Sequence, residues 1–190
     1  YAVDDLNKAK VKILNQGSGP GRDTYEVAAE ERNTPYGEAM DVTLFDIKQD
    51  ALDIGEKRTR ELGVHDKFNF VQGDLRDYLK SKDNEENDII VCVGILCSLD
   101  GKHKFYVIKK DKNHLSDTGC LITASSSEKM IGDDPYLDHW RAVQGFWPLK
   151  YTTEKRLRWT YRLAGYNGKL YTATEDPWNH YVIIRGYAKK

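Results

Sequence analysis

The sequence predicts an α/β fold in which a mostly parallel sheet is flanked by helices. Short apolar runs rich in β-branched residues alternate with longer segments of helical character. The first apolar run ends in a glycine-rich turn that leads into a helical segment, as in nucleotide-binding sheets. The most apolar run of the chain, residues 88–97, is typical of a central strand buried on both faces. Together these three observations favour a parallel sheet with helical crossovers.

Size and composition indicate one globular domain over residues 1–190. Hydrophobic residues make up 39% of the chain and charged residues 31%. The formal net charge of −1 gives no basic field for nucleic acid or an anionic membrane, so we expect neither partner. No apolar run approaches the ~18 residues of a membrane span. Because the chain begins at Tyr1 rather than Met, we expect further sequence upstream, with room for an additional domain; the oligomeric state is open.

The cysteines and histidines favour packing roles over metal or redox chemistry. Three cysteines are present and none forms a C-x-x-C pair. Cys92 and Cys120 lie in predicted strands, where a thiol acts as a small hydrophobe, and Cys97 is better explained by packing than by catalysis. These features predict a reducing, cytoplasmic setting. The five histidines show no metal-ligand spacing, so no metal site is expected.

The first strand, glycine turn and helix form the most informative stretch of the chain. Residues 11–16 are predicted as a buried strand and residues 22–32 as a helix. Between them stand Gly17, Gly19 and Gly21. Glycines allow a ligand to lie against the backbone, where a Cβ would collide with it. The amides at the helix start can then face a polar or anionic group.

The spacing of these glycines separates two kinds of nucleotide site. Dinucleotide-binding dehydrogenases use G-x-G-x-x-G, in which the amides hold a pyrophosphate. The present chain has G-x-G-x-G, which makes an NAD(P)-binding oxidoreductase the weaker alternative. An ordinary glycine turn without a ligand also remains open on this motif alone.

An aspartate is the last residue of the second predicted strand, and another aspartate follows the third predicted strand. Asp46 closes the strand over residues 41–46, where it could accept both ribose hydroxyls or cap the following helix. Asp74 stands in a Gly-Asp-Leu step after the strand over residues 67–72. Its alternative role is to cap a helix over residues 75–80.

The rest of the chain completes the alternation and adds an aromatic connection. Residues 128–150 are irregular and carry Tyr136, His139 and Trp140, so we expect a lid or acceptor wall; aromatic packing over a sheet edge is the alternative. The remaining predicted elements are a turn over residues 33–37, helices over 99–115 and 152–163, and strands over 119–125, 169–175 and 180–188.

The motif at Gly17, Gly19 and Gly21, with Asp46, Gly73-Asp74 and the closing strand pair, resembles the class I S-adenosylmethionine-dependent methyltransferases. The resemblance covers essentially the whole chain. It implies a three-layer Rossmann-like methyltransferase fold, with a mostly parallel seven-stranded sheet whose last strand is antiparallel. It also implies S-adenosyl-L-methionine as the cofactor and methyl transfer to an unidentified acceptor, most simply a small molecule.

The same resemblance implies the site residues. Asp46 would bind the ribose, Asp74 would accept the adenine amino hydrogens, and Leu75 would cover the ring. The full cofactor set is Asn15, Gln16, Gly17, Ser18, Gly19, Gly21, Asp46, Ile47, Asp74, Leu75, Val93 and Gly94. The acceptor set is Tyr136, His139 and Trp140.

Two departures from the family pattern stand out. Asn15 occupies the end of the first strand, where the family commonly has an acidic residue, so we expect weaker cofactor binding. The N-terminal helix that usually caps the acceptor site is short or absent. A non-catalytic methyltransferase-like module of a larger protein is therefore a further alternative.

Methyl transfer requires no nucleophilic side chain. His139 is the one candidate general base, and the alternative is that it is an ordinary surface histidine.

Overall fold

A computed structural model describes residues 10–81, 86–130, 149–172 and 181–188, together with Tyr136, His139 and Val143. Its centre is one seven-stranded sheet with the order β3-β2-β1-β4-β5-β7-β6. Strands β1 to β5 pair in parallel, whereas β7 pairs antiparallel with both β5 and β6. The mostly parallel sheet with an antiparallel last strand is therefore confirmed. The strands are β1 Val11–Gln16, β2 Met40–Asp46, β3 Phe68–Gln72, β4 Asn87–Val93, β5 Leu115–Ser126, β6 Asn167–Thr172 and β7 Tyr181–Tyr187.

Helices connect the strands, as the alternating pattern predicts. Within the described part of the chain, none of them is long and apolar enough to cross a membrane. Short 3₁₀ turns lie at His65–Lys67, Leu96–Ser98 and Lys112–His114. The α-helices are α1 Arg22–Glu31, α2 Pro35–Ala39, α3 Gln49–Glu61, α4 Leu75–Tyr78, α5 Gly101–Asp111 and α6 Glu154–Leu163.

The prediction of a simple turn over residues 33–37 was wrong, because a short helix, α2, begins there. Thr34 is its N-cap, and the Thr34 hydroxyl accepts a hydrogen bond from the Gly37 amide. Pro35 occupies the first helical position, where its missing N–H costs nothing. The residues that suggested a turn are therefore a helix start signal.

The central strand is shorter than its apolar run. β4 ends at Val93, and Gly94 then takes a φ of +94°, which turns the chain out of the sheet. The apolar residues that follow are buried by the Leu96–Ser98 turn instead. The prediction of a strand over 88–97 was therefore wrong at its carboxyl end, which matters because this bend borders the cavity described below.

Both faces of the sheet are buried. One face packs Ile90, Leu121 and Ile184 against α5 and α6, with Tyr161 of α6 fully buried and its hydroxyl 2.9 Å from Thr123 Oγ1. The other face packs β1, β2 and β3 against α1 and α3. Burial on both faces explains the continuous apolar runs of the central strands. The three cysteines are free and buried, as expected for packing residues.

Candidate functional site

The sheet order places β1 between β2 and β4, so the crossover direction reverses beside β1. In open α/β sheets, ligands bind outside the carboxyl ends of the strands at this reversal. A cavity of 1210 Å³ lies there. Residues that follow β1, β2, β3 and β4 form one part of its wall, including Gly17, Asp46, Ile47, Asp74, Leu75 and Gly94. Residues near the end of β5 form another part, including Cys97, Ser126, Met130, Leu149 and Tyr181.

The three glycines of the first turn all adopt left-handed backbone conformations. Their φ values are +57° at Gly17, +53° at Gly19 and +75° at Gly21. A Cβ at Gly17 would lie 2.1 Å from Ile95 Cδ1, and one at Gly21 would lie 2.4 Å from Leu44 Cδ1. A Cβ at Gly19 would meet nothing within 4 Å. Conformation thus favours glycine at all three positions, and packing against the chain itself requires it at Gly17 and Gly21, whereas close approach of a ligand stays a prediction.

Asp46 holds the glycine turn against the ends of two strands. Its Oδ2 accepts a hydrogen bond from the Gly19 amide at 2.7 Å, and its Oδ1 accepts one from the Lys48 amide at 2.9 Å. The Asp46 carbonyl accepts a third from the Gly73 amide at 2.9 Å. The N-cap of α3 is Lys48 rather than Asp46. The carboxylate therefore stabilises the turn before any ligand arrives.

Asp74 is the N-cap of α4, so the capping alternative is confirmed. Its Oδ1 accepts a hydrogen bond from the Arg76 amide at 2.8 Å. The Arg76 guanidinium also binds both carboxylate oxygens, with Nη2 at 2.5 Å from Oδ2 and Nε at 3.1 Å from each. These hydrogen bonds lower the pKa of Asp74 to about 2. Because capping leaves Asp74 in the cavity wall, a contact with adenine remains a prediction.

Asn15 is directed towards α1 rather than into the cavity. Its side chain is buried, and its Nδ2 donates to Thr24 Oγ1 at 2.6 Å and to Asp23 Oδ1 at 3.1 Å. The residue therefore anchors the first turn of α1 to the end of β1. Only its Nδ2 is bonded to the helix, since among the described residues its Oδ1 has no hydrogen-bond partner, and a contact with the cofactor stays a prediction.

Gln16 is likewise turned away from the cavity. Its fully buried side chain donates from Nε2 to Asp111 Oδ1 at 2.8 Å, joining the end of β1 to the end of α5. Burial raises the pKa of Asp111 to about 7. Among the described residues, Gln16 Oε1 and Asp111 Oδ2 have no hydrogen-bond partner. No local pattern in the sequence predicts this pair, since its members are 95 positions apart.

The other predicted site residues divide into three groups. Val93 lines the cavity beside the residues given above. Ser18, Gly19 and Gly21 belong to the turn and do not line the cavity, although the Ser18 amide donates to the Phe45 carbonyl at 3.2 Å. Of the predicted acceptor residues, Tyr136 and His139 are exposed and do not line the cavity, and Trp140 and most of residues 128–150 lie outside the described residues.

A family model described as "Methyltransferase domain" matches residues 7–165. The chain belongs to the methyltransferase domain family. This confirms the class I S-adenosylmethionine-dependent methyltransferase expected from the sequence, with S-adenosylmethionine as the cofactor of the class.

A curated relative and two solved structures accompany this match. The methyltransferase domain is 28% identical over 139 residues to a carboxy-S-adenosyl-L-methionine synthase from Wolinella succinogenes, covering 73% of this chain and 52% of that protein. It thus spans about half the length of this curated relative.

The two structures show the fold. One is a magnesium protoporphyrin IX methyltransferase from Synechocystis with bound S-adenosylhomocysteine (TM-score 0.66, 16% identity, 97% of this chain and 77% of that one). The other is a family 2 O-methyltransferase from Planctomyces limnophilus in complex with apigenin (TM-score 0.70, 17% identity, 96% and 52%).

Sequence reasoning missed several residues at the β5 end of the cavity in this methyltransferase domain. Cys97, Met130 and Leu149 pack together there, with Tyr151 against them. Ser126 and Tyr181 lie opposite each other in the β5–β7 register, and both line the cavity. The run Ser125–Ser127 at the end of an apolar strand was a signal that polar side chains gather at this edge of the sheet.

Proposed function

We propose that this domain binds S-adenosylmethionine in the cavity and transfers its methyl group to a small-molecule acceptor. The observation that carries the proposal is the position of Asp46. Its carboxylate is hydrogen-bonded to Gly19 and shares one cavity wall with Gly17 and Asp74. A sheet that gathers a glycine turn and two carboxylates at its crossover reversal suits a nucleoside ligand without phosphates.

The residues present fit such a cofactor. Each carboxylate oxygen of Asp46 accepts a hydrogen bond from one backbone amide and has a further lone pair. The carboxylate could therefore also accept hydrogen bonds from the ribose hydroxyls. Ile47 is 61% exposed and Leu75 lines the same wall, so their apolar side chains could cover the adenine ring. The backbone amide of Leu75 and the oxygens of Asp74 would then lie at the polar edge of the ring.

The cofactor, when bound, supplies a methyl group that its sulfonium already activates for in-line displacement. The chain therefore has to align an acceptor, exclude water and leave its own side chains unmodified. The apolar side chains of Val93, Ile95 and Leu99 suit this task because they help to exclude water from this part of the cavity wall. No side chain needs to form a covalent intermediate.

A small-molecule acceptor is supported by the size of the cavity. Its 1210 Å³ is at or above the ~300–1,000 Å³ of ordinary ligand pockets, so cofactor and acceptor could lie side by side. The structural neighbours include proteins named for magnesium protoporphyrin IX and solved with apigenin. Cytoplasmic residence and an additional upstream domain remain predictions.

The Wolinella relative supports a second candidate function. It is named for the synthesis of carboxy-S-adenosyl-L-methionine, so the cofactor itself could be the molecule that is altered. The two functions differ in product: methyl transfer yields S-adenosylhomocysteine, whereas the second yields a carboxylated cofactor.

Calorimetric titration with S-adenosylhomocysteine, followed by mass spectrometry of turnover mixtures, tests both. We expect saturable binding, and S-adenosylhomocysteine formation that depends on an added acceptor from a small-molecule screen. A carboxylated cofactor, formed only when a carboxylic acid that can donate its carboxyl group is added, would favour the second function. Binding of NADH in place of S-adenosylhomocysteine would instead indicate an oxidoreductase, and absence of any nucleoside binding would indicate a non-catalytic module.

A further inference from the structure

The β5 end of the cavity is well separated from the glycine turn. β5 lies three strands from β2 in the sheet, which is about 14 Å at the usual strand spacing. We define the acceptor corner as Cys97, Ser126, Met130 and Leu149, all of which line the cavity. A nucleoside bound to Asp46 would not fill this corner, so a second molecule could bind there.

Ser126 brings an unused hydroxyl to the acceptor corner. Its side chain is fully buried at the end of β5, and among the described residues its Oγ has no hydrogen-bond partner. A buried hydroxyl without a partner is unfavourable, because it has lost its hydrogen bonds to water without replacing them. Because Ser126 lines the cavity, a ligand with an acceptor atom could provide the missing hydrogen bond.

Lys104 does not line the cavity, but its buried ammonium is bonded to Ser125 and Lys150, which are the chain neighbours of Ser126 and Leu149 of the acceptor corner. It is 5% exposed, and its Nζ donates to Ser125 Oγ at 3.0 Å and to the Lys150 carbonyl at 2.6 Å. Both partners are neutral oxygens, and within the described part of the chain no carboxylate forms an ion pair with Lys104. Burial lowers the pKa of this ammonium. A buried charge without a counter-charge would be stabilised by an anion nearby.

The N-terminal end of α5 adds positive electrostatic potential to that of the Lys104 ammonium. Lys104 is the fourth residue of the eleven-residue helix, near its positive dipole end. Lys102 of the same turn lines the cavity. The carboxylate of Asp100 is the N-cap and is bound to His103 Nδ1 at 2.9 Å on the exposed side, so it does not neutralise Lys104.

We propose that the acceptor corner binds an apolar molecule through an anionic oxygen, which accepts a hydrogen bond from the Ser126 hydroxyl and is stabilised by the buried Lys104 ammonium. The acceptor class is therefore an acid, or an ionised phenol or enol, attached to an apolar body that packs on Met130 and Leu149. Ser126 is a binding residue in this arrangement, and Lys104 is a positioning residue. The inference that this ligand is the methyl acceptor rests on the proposed function.

The test compares three aromatic probes on the intact protein saturated with S-adenosylhomocysteine. NMR titrations with benzoate, 4-nitrophenolate and benzamide give dissociation constants for a carboxylate, a phenolate and a neutral amide of similar size. We expect at least one of the anions to bind about tenfold more tightly than benzamide. The anion that binds more tightly identifies the acid or phenol class.

Four variants identify the residues responsible. S126A should weaken anion binding about tenfold, whereas S127A, which removes a neighbouring hydroxyl that does not line the cavity, should leave it unchanged. K104M should abolish the preference for anions over benzamide, and K104R should retain it. In every variant the affinity for S-adenosylhomocysteine should stay within about twofold of the parent, because the changes are remote from Asp46.

Equal binding of benzamide and the anions, or an S126A variant indistinguishable from S127A, would overturn the proposal. Failure of all three probes to bind would overturn it as well. If S-adenosylhomocysteine does not bind but the anions still bind through Ser126, the proposed methyl transfer fails and the anion site stands.

Discussion

The amide of Gly19 donates a hydrogen bond to Asp46 Oδ2 over 2.7 Å, which joins the turn after β1 to the end of β2. The Asp46 carboxylate also accepts a hydrogen bond from the Lys48 amide, so it fixes the shape of the cavity wall in the free protein. A ligand that reaches this carboxylate therefore meets a preorganised group and need not order the turn itself.

Replacing Asp46 should accordingly affect both the turn and the cofactor. We expect D46A to weaken S-adenosylhomocysteine binding by about 1–3 kcal/mol, measured by calorimetry, because hydrogen bonds to a charged acceptor are lost. D46N should retain part of the affinity, since one amide oxygen still accepts. The matched control is D53A, which removes an exposed carboxylate of α3 bonded to Gln49. Equal affinities for D46A and D53A would contradict the ribose assignment.

The buried Asp111 should make the fold sensitive to pH. Its pKa is raised from 3.8 to about 7 in the folded protein, so the folded state favours the protonated acid. The resulting stability is fully present below about pH 4 and is lost as the pH rises through 7. D111N removes this titration and should be more stable than the parent at pH 8, by up to about 4 kcal/mol.

Urea unfolding at pH 4.5 and pH 8 measures this difference. The control D53N changes a carboxylate on the exposed face of α3 and should follow the parent at both pH values. Parallel pH profiles for D111N and the parent would show that Asp111 does not titrate between these values.

The glycine turn allows conformational strain to be separated from crowding. Gly17 and Gly19 both have positive φ, but only a Cβ at Gly17 would overlap a side chain, that of Ile95. We expect G19A to cost about 1–2 kcal/mol in the free energy of unfolding, from backbone strain alone. G17A should cost a further ~1–3 kcal/mol from overpacking. In an I95A background, G17A should cost only the part due to backbone strain; if it costs as much as in the parent, the clash is not the cause.

The position of Asn15 argues against restoring the family's acidic residue there. Asn15 Nδ2 lies 3.1 Å from Asp23 Oδ1, so a carboxylate at position 15 would face a second carboxylate in a partly buried site. We expect N15D to lower the free energy of unfolding by about 1–3 kcal/mol at neutral pH. The double variant N15D/D23N should recover most of the loss. Improved cofactor binding by N15D without loss of stability would contradict this interpretation.

The sequence predicted the elements around the site because each rests on a local pattern. Strands β1, β2 and β3 are apolar runs that end in glycine or a carboxylate, and parallel pairing brings those ends to one edge. That pattern was sufficient to place Gly17, Asp46 and Asp74 in one cavity. The sequence also suggested two roles for Asp74, binding adenine and capping α4, and the geometry shows the capping role.

The remaining features depend on contacts between distant parts of the chain. Asn15 and Gln16 are adjacent and both buried, yet one bonds to α1 and the other to Asp111 at the end of α5. Apolarity alone could not show that β4 ends at Val93, because the following turn buries Leu96 and Cys97 as a strand would. The cap at Thr34 was missed because Asn, Pro and Gly also signal turns.

The insertion of β7 between β5 and β6 has a consequence for biosynthesis. β5 is synthesised more than fifty residues before Tyr181–Tyr187, the strand that covers its open edge. Until then, the backbone amides and carbonyls along that edge are free to pair with another nascent chain. Translation that stops short of Tyr181 should therefore yield an aggregating product rather than a smaller folded one.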